Sequence, residues 1–157
     1  MKNKTCVISG GTRGIGLAIA KNMAKRGYNI ATFSRTQEQL DILAGKLAEH
    51  DVSVFTKKGD AQDDQFLQKF IDETAESFGG IDLLVNNAGG GKADNIMDAE
   101  ISDWDFTINT NLRATMVLSK LCLPHILKSE SPTIINIASI AGKLTMGRVS
   151  AYCAAKH

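Results

Sequence analysis

The chain has 157 residues, 43% of them hydrophobic, which is enough for one sizeable core, and we expect a single domain over residues 1–157. Its 18 basic and 17 acidic side chains are interspersed and give a net charge of +1, so nothing electrostatic favours nucleic acid or an anionic membrane as a partner. No segment approaches the roughly 20 apolar residues of a membrane-spanning helix, and we expect a small-molecule partner.

The three cysteines indicate a reduced, cytoplasmic protein. Cys6, Cys122 and Cys153 are odd in number, far apart and without the spacing of metal ligands, so we expect no metal site. A functional thiol is the alternative for Cys153, because it follows Tyr152. The short apolar run after Lys4 is more typical of a strand than of a signal peptide.

Five short β-rich runs, at residues 5–9, 28–33, 52–57, 81–85 and 133–137, alternate with longer segments whose apolar residues recur at helical spacing. Continuously apolar runs such as IINI indicate strands that helices cover on both faces. Strict alternation requires right-handed crossovers, so we predict an α/β fold of three layers with a doubly wound parallel sheet. Gly27 fits the end of the first helix, and Thr36 with Gln39 fits a capping box at the start of the second.

A glycine-rich turn, SGGTRGIG, follows the first predicted strand and spaces Gly10, Gly14 and Gly16 as Gly-x-x-x-Gly-x-Gly. A tight strand-to-helix turn of this kind lets a pyrophosphate approach the backbone in front of a helix N-terminus. We interpret it as a dinucleotide-binding turn, because the Gly-Lys-Ser/Thr of a Walker motif is absent. The alternative is that the glycines only make the turn.

The end of the second strand, about 20 residues further on, should contact the adenosine ribose of such a dinucleotide. Ser34 and Arg35 occupy this place, and no Asp or Glu does. A carboxylate would accept a ribose 2′-OH, whereas Arg35, helped by Arg13, would bind a 2′-phosphate. We therefore expect NADP rather than NAD, the alternative being that both arginines are ordinary solvated charges.

Tyr152 and Lys156 are four residues apart, on one face of a predicted helix, and Ser139 precedes them at the end of a predicted strand. A phenol and an ammonium that converge on one point, with a hydroxyl nearby, form a proton-transfer site in outline.

In chain order, SGGTRGIG, Asp60, the NNAG of residues 86–89, Asn111, Ser139 and Tyr152-x-x-x-Lys156 resemble the motifs of the short-chain dehydrogenase/reductase family. The chain looks most similar to the 3-oxoacyl-[acyl-carrier-protein] reductase-like members, and the resemblance runs through essentially the whole chain. It implies a Rossmann fold and a nicotinamide cofactor.

The resemblance also implies hydride exchange between NADP(H) and a carbonyl or secondary alcohol. Tyr152 would be the general acid or base, assisted by Lys156, and Ser139 would bind the substrate oxygen. Asn111 would hold a water that connects Lys156 to solvent. The implied cofactor-binding residues are Gly10, Thr12, Arg13, Gly14, Ile15, Gly16, Ser34, Arg35, Asp60, Ala61, Asn87, Ala88, Gly89, Tyr152 and Lys156.

Three of these motifs have simpler alternatives. Asp60 would bind the adenine amino group, but an isolated Asp in this place is also typical of a helix N-cap. The Asn side chains of residues 86–87 would tie neighbouring loops together, which is structural. Asn111, taken alone, would be a surface Asn.

Members of this family continue beyond the Tyr-bearing helix, so the predicted sheet is incomplete at its C-terminal side. We expect exposed apolar surface around residues 112–123, where the family commonly forms dimers, and a homo-oligomer at full length. The chain would be a fragment of a longer protein or a truncated product. The alternatives to an active enzyme are a non-catalytic NADP-binding or interaction protein and an inactive fragment.

Overall fold

The computed structural model describes residues 3–92 and 95–157, and over these it has a five-stranded parallel sheet. In the spatial order β3-β2-β1-β4-β5, its strands are β1 (Thr5–Ser9), β2 (Asn29–Ser34), β3 (Val54–Lys58), β4 (Leu83–Asn86) and β5 (Thr133–Asn136). Each strand begins and ends within two residues of its predicted bounds, and each pair is parallel. The predicted doubly wound sheet is confirmed.

Helices connect the strands: α1 (Gly14–Lys25), α2 (Gln37–Leu47), α3 (Asp64–Phe78), α4 (Ile101–Ile108), α5 (Ala114–Ile126) and α6 (Ser150–Lys156). A π-helix, Asn109–Arg113, joins α4 to α5, and a 3-10 turn, Ile140–Gly142, follows β5. In the described part of the chain, no helix combines the length and the apolar character needed to cross a membrane.

Alternate residues of the strands contribute to two cores, one on each face of the sheet. On one face, Val7 of β1 and Leu84 of β4 pack with Phe70 of α3 and Leu118 of α5. On the other face, Ile8 of β1 packs with Ala20 and Ala24 of α1 and with Leu43 and Leu47 of α2. Each fully buried Val, Leu, Ile or Phe side chain stabilises the fold by about 1.5–3 kcal/mol. The packing of the helices on both faces of the sheet therefore stabilises all three layers.

The position of β1 in the centre of the sheet determines where a ligand can bind. Its neighbours are β2 on one side and β4 on the other, so the connections that follow β1 and β4 run in opposite directions. Loops that diverge in this way leave a crevice at the carboxyl ends of the strands. The glycine-rich turn lies at this crevice.

The predicted end of the first helix is confirmed. Gly27 adopts a φ of 81° and donates its main-chain N–H to the carbonyl of Ala24 at 2.9 Å. The N–H of Tyr28 donates to the carbonyl of Met23 at 3.0 Å, which completes a Schellman motif. Glycine suits this position because a positive φ is strained for residues with a Cβ.

The predicted capping box at the start of α2 is wrong. Thr36 is the residue before the helix, but its side chain makes no capping hydrogen bond. The side chain of Gln39 bonds instead with the hydroxyls of Thr12 and Ser34, on the neighbouring strand ends. Gln39 therefore makes tertiary hydrogen bonds in place of the predicted capping bond within its own helix.

An apolar stripe runs along α5 and the π-helix before it. Leu112, Met116 and Leu123 are 39%, 63% and 43% exposed and lie on one side of the helix. The predicted exposure of apolar surface around residues 112–123 is confirmed.

Glycine is required at residue 16, where α1 crosses the glycine-rich turn. A methyl group on Gly16 would lie 2.2 Å from the carbonyl oxygen of Gly10 and 2.5 Å from the side-chain Nδ2 of Asn87. Because the backbone oxygen cannot move without the turn, we expect Gly16→Ala to lower the free energy of unfolding by about 1–3 kcal/mol, as measured by urea denaturation. The control is Gly45→Ala in α2, where a methyl group meets nothing within 4 Å and should raise stability by about 0.5–1 kcal/mol. A Gly16→Ala variant as stable as wild type would contradict this close approach.

Candidate active site

A cleft of about 610 Å³ opens at the carboxyl ends of β1, β2 and β4, beside the loop after β3. Gly16 does not line it, because Gly16 is buried beneath the turn. Tyr152 and Lys156 lie on α6, outside its walls. The residues predicted to bind a cofactor that do line it are Gly10, Thr12, Arg13, Gly14, Ile15, Ser34, Arg35, Asp60, Ala61, Asn87, Ala88 and Gly89.

Hydrogen bonds clamp the glycine-rich turn to the loop that follows β4. The Asn87 Nδ2 donates to the carbonyls of Ser9 and Gly10, both at 3.0 Å. In return, the Ser9 Oγ accepts the N–H groups of Asn87 and Ala88, both at 2.9 Å. Gly10 has a φ of 68°, which glycine adopts without strain. The turn is therefore held rigidly at the crevice.

Asn86 makes the second tie that the sequence predicts for this motif. Its Nδ2 donates to the Oδ1 of Asn136 at 2.8 Å and to the Oγ of Ser119 at 3.1 Å. These bonds join β4 to β5 and to α5. The predicted structural role of the two Asn side chains is confirmed.

The end of the cleft beside β2 is basic. Arg13 and Arg35 are exposed on its walls, and within the described residues neither forms an ion pair with a carboxylate. The guanidinium carbon of Arg35 lies 6.0 Å from the ring centroid of Phe106, so this side chain reaches from β2 towards α4. Asp60 is the one acidic residue on the described walls. Two cationic side chains are therefore available to an anion.

Asp60 does not cap a helix. Its Oδ1 accepts the N–H of Gln62 at 3.0 Å in the loop after β3. The N-cap of α3 is Asp63, whose carboxylate accepts the N–H of Phe66 at 3.0 Å. The N-cap alternative for Asp60 is wrong, and its carboxylate lines the cleft.

Asn111 is buried within the π-helix, so the alternative of a surface Asn is wrong. Its Nδ2 donates to the carbonyls of Gly90 and Thr107 at 2.5 and 2.8 Å. Its Oδ1 accepts the N–H of Gly90 at 3.3 Å. The side chain thus holds the loop after β4 against a local distortion of the helix.

Lys156 lies between Tyr152 and the loop after β4. Its Nζ is 5.9 Å from the ring centroid of Tyr152 and donates to the carbonyl of Ile137 at 3.0 Å. Burial lowers the pKa of Lys156, because the charged amine loses part of its hydration. A Cβ on Gly89 would lie 3.5 Å from this Nζ and 2.7 Å from the Asn111 Oδ1. Lys156 and Asn111 therefore meet at Gly89, where a larger residue would not fit.

Ser139 precedes the 3-10 turn that leads from β5 towards α6. Its Oγ accepts the N–H of Ala141 at 3.2 Å, which leaves its own hydroxyl hydrogen available. At the end of this turn, Gly142 packs so closely on the carbonyl of Lys156 that a methyl group would lie 2.1 Å from that oxygen. The segment that carries Ser139 is therefore held against the end of α6.

Some residues that line the cleft were not among those predicted from the sequence. Thr110 lines the cleft, and its Oγ1 is buried without a hydrogen-bond partner in the described part of the chain. The signal for Thr110 is its place beside Asn111, and the signal for Gln39 is its place in the first turn of a helix that begins at the crevice. The added residues are Phe33, Thr36, Gln39, Gly59, Gly90, Phe106 and Thr110.

The described residues include no metal-binding cluster, and two of the three cysteines lie in the core. Among residues 3–92 and 95–157, no group of three His, Cys, Asp or Glu side chains could hold a metal ion. Cys6 and Cys122 are buried, and this burial raises the pKa of each thiol to about 12. At neutral pH these two cysteines are therefore thiols rather than reactive thiolates.

These features define a class of protein: a doubly wound α/β domain with a dinucleotide-type glycine turn at the switch point of its sheet and a Tyr-x-x-x-Lys helix beside it. A sequence profile of the family described as short chain dehydrogenase matches residues 4–157. The chain belongs to the short-chain dehydrogenase family.

Two proteins of known sequence and one solved structure illustrate which members of the family the chain is similar to. The 3-oxoacyl-[acyl-carrier-protein] reductase FabG of Staphylococcus epidermidis is 30% identical over 155 residues, which are 98% of this chain and 64% of that protein. Hydroxysteroid dehydrogenase-like protein 2 of Danio rerio is 33% identical over 85% of this chain and 34% of its own length. The crystal structure of a metagenomic short-chain oxidoreductase in complex with NADP is 28% identical, with a TM-score of 0.91, over 98% of this chain and 70% of that one. The chain thus spans between a third and two thirds of these two curated relatives.

Removal of the Asn111 amide tests its role in the fold. Asn111→Ala leaves the main-chain groups of Gly90 and Thr107 without their side-chain partner, and we expect the free energy of unfolding to fall by about 1–3 kcal/mol in urea denaturation. Asn109→Ala is the control, because it truncates an Asn in the same π-helix that makes no side-chain hydrogen bond with the described residues. Equal losses in the two variants would show that the amide contacts of Asn111 do not matter.

Proposed function

We propose that the protein is an NADP(H)-dependent oxidoreductase that exchanges a hydride with a carbonyl or secondary alcohol, and that residues 1–157 form its NADP-binding domain. The observation that carries this proposal is the meeting of Lys156 and Asn111 at Gly89, next to Tyr152 and at the edge of the cleft. The opposite end of the cleft has two arginines. A cofactor with a reactive ring at one end and a 2′-phosphate at the other suits this polarity.

The cleft residues fit such a cofactor. A methyl group on Gly14 would meet no atom within 4 Å, so the turn has an open face for a pyrophosphate. The carboxylate of Asp60, which lines the cleft, supplies polar atoms for an adenine. A structure of a relative in complex with NADP supports the same choice of cofactor. When bound, the nicotinamide ring supplies or accepts the hydride.

Tyr152 and Lys156 act together on the proton in this proposal. Tyr152 donates its phenolic proton to the substrate oxygen during reduction and takes it back during oxidation. The ammonium of Lys156 favours the phenolate by its charge, and partial burial strengthens this attraction because less water screens it. The bond to Ile137 uses one of three N–H groups and leaves two for the hydroxyls of the nicotinamide ribose.

Ser139 and Asn111 have supporting roles. Ser139 donates to the substrate oxygen and stabilises the charge that develops there, because its Oγ already accepts the Ala141 N–H and its hydrogen is free. Asn111 uses both Nδ2 hydrogens on main-chain carbonyls. The acceptor capacity left on its Oδ1 is the place for the water that would connect Lys156 to solvent.

Assembly and location complete the proposal. The exposed stripe of Leu112, Met116 and Leu123 supports a homo-oligomer, because its association would bury apolar surface. The free thiols of Cys6 and Cys122 support a reducing compartment, such as the cytoplasm.

The cofactor preference is tested at Arg35. We expect the intact protein to bind NADPH at least about tenfold more tightly than NADH in fluorescence titrations, since one bidentate charged contact contributes about 1.5–3 kcal/mol. Arg35→Ala should remove most of this preference. Arg26→Ala removes the same charge from an exposed site outside the cleft and should retain it. Equal affinities in wild type, or an unchanged preference in Arg35→Ala, would refute the choice of NADP.

The catalytic assignment is tested at Tyr152. Tyr152→Phe should lower turnover of carbonyl substrates by at least about 100-fold while the Kd for NADPH stays within about twofold, because the lost hydroxyl acts on the proton. Lys156→Ala should weaken both turnover and binding. The control Tyr28→Phe changes a tyrosine that packs against the core on the other face of the sheet and should leave turnover unchanged. More than a tenth of wild-type turnover in Tyr152→Phe would exclude Tyr152 as the acid, and binding without turnover in wild type would favour a non-catalytic NADP-binding protein.

A further inference from the structure

We propose that Gln39 is a specificity-determining residue that completes a subsite for the 2′-phosphate of the cofactor. This inference rests on the proposed use of NADP(H). It goes beyond that proposal, because Gln39 belongs neither to the glycine-rich turn nor to the end of β2.

Gln39 joins the two segments that form the basic end of the cleft. It lies in the first turn of α2, and its side chain lines the cleft. Its Oε1 accepts a hydrogen bond from the Thr12 Oγ1 at 3.1 Å and another from the Ser34 Oγ at 3.2 Å. One amide oxygen therefore holds a hydroxyl of the glycine-rich turn and a hydroxyl of β2 together.

These two bonds decide which groups can donate to an anion. Thr12 and Ser34 have one hydroxyl hydrogen each, and both hydrogens point to Gln39, so neither hydroxyl donates to a phosphate. The Nε2 of Gln39 carries two N–H groups, which have no protein partner within the described residues. It lies at the start of α2, where the helix dipole also favours negative charge. Gln39 is therefore a neutral donor next to the two arginines.

The neutrality of this side chain is what gives it a role in specificity. Neither nearby acidic residue takes the place of Gln39. Asp60 lines the cleft from the loop after β3, whereas Glu38, which precedes Gln39 in the chain, is exposed and does not line the cleft. A Glu at residue 39 would have the same shape and would still accept the hydroxyls of Thr12 and Ser34. Its second oxygen, however, would repel a 2′-phosphate and accept a hydrogen bond from a ribose 2′-OH.

The test compares two changes of equal charge within the first turn of α2, at residues whose side chains point in different directions. Kd values for NADPH and NADH are measured by fluorescence titration with the intact protein, at low and high salt. We expect Gln39→Glu to weaken NADPH binding at least about tenfold and to leave NADH binding within about twofold, with a smaller loss at high salt. Gln37→Glu, which adds the same charge outside the cleft, should keep the wild-type preference. Gln39→Ala removes the donor without adding charge and should weaken NADPH binding less than Gln39→Glu does.

The outcomes separate this inference from the proposed cofactor. If Arg35→Ala loses the NADPH preference and Gln39→Glu keeps it, the role of Gln39 is refuted and the use of NADP(H) stands. Equal weakening of both cofactors by Gln39→Glu and Gln39→Ala would assign Gln39 a purely structural role and also refute the inference. A wild-type protein without a preference would refute both proposals. A thermal unfolding curve for each variant confirms that the comparison is made between folded proteins.

Discussion

The fold and the site both depend on the hydrogen bonds that clamp the ends of β1 and β4. Asn87 and Ser9 pair main-chain groups at a point where the sheet no longer pairs them, and each such group left buried and unpaired would cost about 1–3 kcal/mol. Gly16 lies against the Gly10 carbonyl and the Asn87 amide, so α1 begins where the clamp allows. The position of the helix N-terminus therefore follows from the clamp.

The same clamp connects the two ends of the cleft. From Asn87 the chain continues to Gly89, where Asn111 and Lys156 meet, and the carbonyls that Asn111 bonds hold this loop against the π-helix. On the other side the glycine-rich turn leads to Thr12, which Gln39 ties to β2. A rigid connection of this kind fixes the distance between the two arginines of the cleft and the pair of Tyr152 and Lys156. The proposed catalysis needs such a fixed distance, because it works by positioning.

The pair proposed to transfer the proton, Tyr152 and Lys156, depends on tertiary contacts. Helix α6 has seven residues, and an isolated helix of this length is not stable in water. The bond from Lys156 to Ile137 and the close packing of Gly142 on the Lys156 carbonyl attach α6 to the end of β5. The spacing of Tyr152 and Lys156 is thus a local property, whereas the conformation that makes the spacing useful comes from β5.

The strands, the parallel sheet, the glycine-rich turn and the family could all be predicted from the amino-acid sequence, because apolar runs and motif spacing are local patterns. The partners of the polar side chains could not be predicted in this way, because they depend on the three-dimensional fold. Thr36 and Gln39 have the spacing of a capping box, yet Gln39 bonds to Thr12 and Ser34, since the pairing of β1 with β2 brings two hydroxyls within its reach. A side-chain amide bonds either within its own helix or to a neighbouring strand, depending on which partner is closer in space. The order of residues along the chain does not give these distances.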